Sequence, residues 1–130
     1  MTGLSAAPAS GLTAAELAHF TEVLHGQRAQ LEADLLRQGA SLADVRAARS
    51  GGDADDEHDP EGPTLSAEWS LRAGVHAESA AGLDAIDAAL ERLTAGTYGI
   101  CVRGGEPIGR DRLEARPAAA LCIACARAQP

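Results

Sequence analysis

The stretch Gly96-Thr97-Tyr98-Gly99-Ile100-Cys101-Val102-Arg103-Gly104-Gly105, with Leu121-Cys122-Ile123-Ala124-Cys125 after it, holds all 3 cysteines of the chain. Two C-x-x-C knuckles about 15 to 20 residues apart are a zinc signature, because tetrahedral Zn²⁺ takes four soft donors and each knuckle delivers two from one tight turn. The second knuckle is complete. The first has Gly104 where its second cysteine belongs, so Cys101, Cys122 and Cys125 are the candidate metal ligands and the fourth position is open. Gly105 keeps the glycine turn that such knuckles use. Glu106 and Asp111 are carboxylates of the same loop that could supply the missing donor, and spacing selects neither. Structural zinc sites normally close with four protein ligands. Apparent binding free energies of about 10–16 kcal/mol for such sites fall when one thiolate is lost. The competing reading is a finger that packs without metal, leaving Cys122 and Cys125 as thiols for redox chemistry.

The residues around the cysteines are more specific than their spacing. Gly96 to Cys101, Pro107-Ile108-Gly109-Arg110, Arg112-Leu113-Glu114-Ala115-Arg116-Pro117 and Leu121 to Cys125 together resemble the DksA/TraR family of bacterial transcription regulators, whose finger is of the C4 zinc type. The resemblance is dense over residues 96–125, looser over 53–95 and only architectural before that. It implies a mainly α fold: a long antiparallel helical hairpin, or coiled coil, followed by a small zinc-ribbon-like finger and a short terminal helix. It also implies RNA polymerase as the protein partner. In members that act on transcription, the hairpin tip enters the polymerase secondary channel, where an Asp-x-x-Asp-x-Ala motif approaches the active site. Asp56-Glu57-His58-Asp59 resembles the Asp-x-x-Asp part, which makes Asp56 and Asp59 the tip residues; Glu61 stands where the motif has alanine. Some relatives bind a guanosine tetraphosphate-type nucleotide effector. Arg110, Arg112 and Arg116 are the finger residues whose forks suit phosphates, unless they pair with Glu106, Asp111 and Glu114.

Composition agrees with a thin helical protein. At 130 residues the chain makes one domain at most, and alanine inflates its 45% hydrophobic content while aromatics are only 2%. Phe20, Trp69 and Tyr98 are the only aromatic carbocycles, which argues against a bulky globular core. The net charge is −8, and all 11 basic residues are arginine. Nucleic-acid binding depends on neutralising phosphates with basic side chains, so sequence-specific DNA binding is not expected and a basic protein surface is. Met1 to Gly11 lacks the charged and apolar regions of a signal peptide, and no apolar run is long enough for a membrane span. Cysteines in an unsecreted chain point to metal or redox chemistry, which places the protein in the cytoplasm.

The organisation follows from helix punctuation. Residues 1–12 form a small, polar tail, expected to be disordered. Thr13 and Glu16 make an S/T-x-x-E capping box, flanked by Leu12 and Leu17 as a hydrophobic staple. Leu17, Phe20, Leu24, Leu31, Leu35, Leu42 and Val45 continue at helical intervals and predict a first helix to about Arg49. Gly26 and Gly39 each weaken it by roughly 1 kcal/mol relative to alanine. Residues 50–63 are rich in glycine, proline and acids and predict the hairpin tip. A second helix is predicted from about Thr64 to Ala95, capped by Gly96 in a left-handed conformation. Its seam is Leu65, Trp69, Arg72, His76, Ser79, Leu83, Ile86, Leu90 and Leu93, apolar toward its C-terminus and polar in its middle, so pairing should be firmer at the finger end. The segments are thus a tail at 1–12, a hairpin at 13–95 and a degenerate finger at 96–130.

Two bland readings compete. The acids at 53–59 also serve simply to solvate a loop, and as a calcium loop they fail, with His58 where glycine is required and Thr64 where a bidentate glutamate belongs. No nucleophile, base and orienting acid occur at interpretable spacing, so no catalytic residues are assigned and the chain does not read as an enzyme. The alternative function is a metal-free helical scaffold or redox-responsive interaction module that keeps the family's shape.

Overall fold

The computed structural model describes residues 9–53 and 62–128. The chain is mainly α-helical, with α1 at Ala14–Asp53, α2 at Gly62–Ala95, α3 at Arg110–Ala115 and α4 at Ile123–Ala128. Helices α1 and α2 form the long hairpin. Among the described residues the only β pairing is an isolated antiparallel bridge between Ile100 and Pro107, so the finger is built from one bridge and two short helices.

Helix α1 begins where its capping box dictates. The Thr13 N–H donates to Glu16 Oε1 at 2.9 Å and the Glu16 N–H donates to Thr13 Oγ1 at 3.0 Å, satisfying two of the donors that a helix start leaves unpaired. Helix α2 ends at Gly96, whose φ of 82° is the left-handed value a C′ glycine adopts freely. There the Thr97 N–H returns to the Arg92 carbonyl at 2.9 Å.

The packed chain starts earlier than a disordered tail over 1–12 would allow. Ser10 and Leu12 are buried, and the reason is Gly99: a Cβ built there would lie 2.9 Å from Leu12 Cδ1 and 2.9 Å from Ser10 Cβ. Glycine at 99 is what lets this segment lie against the finger. Both helices also reach further into the 50–63 segment than its composition predicts. Helix α1 continues past Arg49 through Gly51 and Gly52, since glycine costs a helix about 1 kcal/mol without forbidding it. Helix α2 starts at Gly62, placing Pro63 in the first turn, where a missing N–H costs nothing.

The described residues divide into two compact units, one within 1–28 and 84–130 and one within 29–83. In the first, Leu12, Phe20, Leu24, Ile86, Ala89, Tyr98, Cys101, Ile108 and Leu113 are the buried apolar residues. The Phe20 and Tyr98 rings meet at 5.8 Å between centroids. All these buried residues belong to this unit, which is the firmer finger end that the seam pattern predicts.

The second unit is held by a thinner, more polar seam. Leu31, Leu35, Leu42, Leu65 and Trp69 are half-buried, and Gly82 lets Leu31 approach closely, a Cβ there lying 3.2 Å from Leu31 Cδ2. Arg46 stacks over the Trp69 ring at 5.0 Å, a cation–π contact. Arg72, at a polar seam position, binds Ser41 and reaches Glu68 at 2.5 Å. Among the described residues His76 Nδ1 and Gln38 Oε1 are buried without a hydrogen-bond partner, a cost that this polar stretch of seam carries.

Candidate metal centre

The first knuckle is shaped by backbone hydrogen bonds. After the Ile100–Pro107 bridge, the Cys101 N–H donates to the Glu106 carbonyl at 2.7 Å, and the Gly105 N–H returns to the Cys101 carbonyl at 2.9 Å. This closed loop needs the positive φ of 82° at Gly105. The Gly104 N–H points at Cys101 Sγ at 3.4 Å. The Val102 N–H donates to the Ala120 carbonyl at 2.9 Å, drawing the segment before Cys122 alongside the first knuckle. The Ala126 N–H then donates to the Cys122 carbonyl at 2.9 Å as α4 begins, and Cys125 lies in that helix's first turn.

These constraints bring Cys101, Cys122 and Cys125 together with Glu106. One ligand atom from each lies within 4.8 Å of all the others. Four sulfurs bonded to one zinc at about 2.3 Å stand roughly 3.8 Å apart, so small side-chain adjustments close the site. Cys101 is buried, while Cys122 and Cys125 are half-buried. Three thiols and a carboxylate are donors that zinc accepts, and the residues present fit the ion. Of the two carboxylates that the loop offers, Glu106 joins the cluster; Asp111 lies in the first turn of α3, outside it.

The electrostatics of the cluster already favour a thiolate. The backbone N–H of Gly104, then that of Cys122, draws the Cys101 thiol down to about 6. The Cys125 thiol is pushed up to about 11, first by its hydrogen bond to Cys101 and then by that to Cys122. One cysteine is thus set to hold charge while its neighbour holds a proton, the arrangement that metal binding converts to thiolates throughout.

Among the described residues no ion pair joins Arg110, Arg112 or Arg116 to Glu106, Asp111 or Glu114, although the Arg110 pKa is raised first by Glu16 and then by the charges of Glu114 and Asp111. Arg110 reaches Glu16 at 2.8 Å, and Arg112 Nε donates to the Leu121 carbonyl at 2.9 Å, immediately before Cys122. Glu16 lies 94 residues from Arg110 and the partner of Arg112 is a backbone carbonyl, so nearest-neighbour charge pairing gives no signal of either. Arg110, Arg112 and Arg116 also line a cavity of about 620 Å³ together with Ile108 and Ile123. Beneath the site, Tyr98 donates its hydroxyl to the Pro117 carbonyl at 2.7 Å, and Arg92, whose pKa is lowered by burial, reaches the Ala119 carbonyl at 3.4 Å. Asp56 and Asp59, with Glu57, His58 and Glu61, lie outside the described residues. Among the described residues, no helix is long and apolar enough to cross a membrane.

Comparison with known proteins places this geometry. Residues 96–129 match the model of the prokaryotic dksA/traR C4-type zinc finger. Over 38 residues the chain is 55% identical to the RNA polymerase-binding transcription factor DksA of Caulobacter vibrioides, a match that covers 29% of the chain and 27% of that relative's length. Over 111 residues it is 31% identical to the protein of the same name from Haemophilus influenzae, covering 85% of the chain and 71% of the relative. The structure of transcription factor DksA2 from Pseudomonas aeruginosa superimposes with a TM-score of 0.72 at 31% identity, covering 89% of this chain and 84% of that one. These relatives are named as transcription factors, not as enzymes. With its hairpin, its knuckled finger and a match across most of its length, the chain belongs to the DksA/TraR family.

Proposed function

We propose that the chain is a transcription regulator that binds RNA polymerase through protein contacts and places its hairpin tip in the polymerase secondary channel, without sequence-specific recognition of DNA. The observation that carries this reading is the 31% identity over 111 residues, spanning hairpin and finger together, to a relative named as an RNA polymerase-binding transcription factor. The net charge of −8 supports a protein partner over a phosphate backbone. Binding polymerase makes the cytoplasm its place of work. Asp56 and Asp59 are the tip residues that act near the polymerase active site, and Glu61 distinguishes this tip from the family motif.

Cys101, Cys122 and Cys125 hold a structural zinc ion in this reading. The ion cross-links the loop after α2 to the start of α4, chemistry that no side chain present supplies alone. The convergence of the donors favours this over a metal-free scaffold. Arg110 and Arg112 are engaged within the protein, so their first role is structural, and a phosphate-bearing effector would have to compete with Glu16 and the Leu121 carbonyl.

The test is a pull-down of purified core RNA polymerase with the full chain, followed by transcription in vitro. Retention of polymerase at micromolar concentrations is expected, and its absence overturns the reading. The double variant Asp56→Asn with Asp59→Asn should still be retained but lose its effect on initiation. An unchanged effect would return these acids to the role of a solvated loop.

A further inference from the structure

The fourth position of the finger is not simply lost. Gly104 has none of the positive φ that Gly99, Gly105 and Gly109 show, so its backbone would accept a side chain. What occupies the adjoining space is the Glu106 carboxylate: a Cβ built on Gly104 lies 2.9 Å from Cδ and 3.0 Å from Oε2 and closer still to Oε1, so a side chain at 104 would require the flexible end of Glu106 to swing away. In this arrangement the place of a side chain at 104 is taken by the side chain two residues on.

That carboxylate extends from a fixed backbone toward the thiols. Its own backbone is pinned opposite the first ligand by the 2.7 Å bond from the Cys101 N–H to the Glu106 carbonyl. Its Oε1 stands 4.0 Å from Cys122 Sγ, and it completes the group of four donors within 4.8 Å. Among the described residues this is the only group of metal-capable side chains that converges so closely.

We propose that Glu106 is the fourth zinc ligand, so that this chain carries a Cys3Glu site in place of four cysteines, and that Gly104 is the gap that admits the carboxylate. The inference rests on the zinc reading above and names what completes it. Three thiolates and one carboxylate carry the same formal charge as four thiolates, so the electrostatic balance with the dication is kept. What changes is donor softness: one hard oxygen replaces one soft sulfur, at an exposed corner of the site. The site should therefore discriminate less strongly for soft ions than a four-thiolate finger does.

The experiment is a titration of the full chain, purified without chelator or affinity metal, with Co²⁺ and then Zn²⁺ against a chromophoric chelator. Thiolate-to-cobalt charge transfer reports the number of sulfur ligands, and the visible ligand-field bands report tetrahedral geometry. The wild-type chain should bind one tetrahedral ion with three-thiolate intensity. Glu106→Ala and the near-isosteric Glu106→Gln should lower affinity roughly tenfold or more, the loss that perturbing a ligand shell produces, and should alter the ligand-field bands. Asp111→Asn should change neither. The double variant Gly104→Cys with Glu106→Ala should regain tight binding with charge transfer about one third stronger, as a fourth thiolate joins the shell. Wild-type affinity and bands in both Glu106 variants would overturn the assignment of Glu106 while leaving zinc in place. Absence of metal binding by the wild-type chain would overturn the zinc reading and this inference together.

Discussion

The Tyr98 hydroxyl donates to the carbonyl of Pro117 at 2.7 Å, joining the segment that leads into the first knuckle to the segment that leads into the second. Both residues are buried, so Tyr98→Phe leaves an acceptor without its partner. A loss of about 1–3 kcal/mol is expected, seen as a lower urea midpoint with an unchanged slope.

The same tyrosine sets an alkaline limit. Burial pushes its pKa from 10.0 up to about 12, against a smaller opposing pull from Arg92. The folded state therefore keeps this proton after the unfolded chain has released it. The resulting stability is fully present below pH 10, is lost as pH rises from about 10 to about 12, and is absent from Tyr98→Phe. Urea midpoints of the two proteins between pH 8 and 12 should converge; parallel curves would show that Tyr98 is not the group responsible.

At the acid end the relevant group is Glu16. Its pKa is lowered, first by the Thr13 N–H and next by the Arg110 side chain. A depressed carboxyl contributes stability above its unfolded value of 4.5 that is lost as pH falls through its folded value. Glu16→Gln should flatten that part of the acid limb in thermal melts. Thr13→Ala should cost about 1 kcal/mol at neutral pH through the lost cap.

Much of the hairpin was legible in the sequence because its signals are local. Thr13 and Glu16 lie three residues apart, Gly96 closes the helix it follows, and each of the nine seam positions of α2 is buried or half-buried. Cys101, Cys122 and Cys125 were legible as a group because knuckle spacing encodes their convergence. The choice of Glu106 over Asp111 was not, since both are close in sequence and only the folded loop brings the Glu106 carboxylate to the thiols while Asp111 is carried into α3. The Arg110–Glu16 and Arg112–Leu121 contacts were hidden for the same reason, being set by tertiary placement.

Burial predicts a steep contrast between two leucines. Leu113 is 0% exposed and Leu71 is 70% exposed. Leu113→Ala should cost about 2–5 kcal/mol through lost contacts and a residual cavity. Leu71→Ala should stay within about 0.5 kcal/mol. Chemical denaturation of the two variants side by side checks the contrast.

The two units should also open separately. Amides near Leu24 and Ile86 belong to the unit that contains every buried apolar residue among those described, and those near Trp69 and Arg72 belong to the other. Native-state hydrogen exchange should show slower exchange for the first group, by free energies approaching global unfolding. Equal protection across both would mean that the polar seam is as cohesive as the apolar one.

The apolar base formed by Phe20, Leu24, Ile86, Tyr98, Ile108 and Leu113 has a consequence for how such a protein can change over evolutionary time. None of these side chains is among the proposed zinc ligands, so the apolar contacts they make need no donor atom, although Cys101 is buried in the same unit. On the Cys3Glu proposal, the loss of one cysteine leaves this apolar base untouched while a neighbouring carboxylate takes the vacant ligand position. The apolar base thus separates what holds the fold from what holds the ion, and the ligand set can change without changing the base.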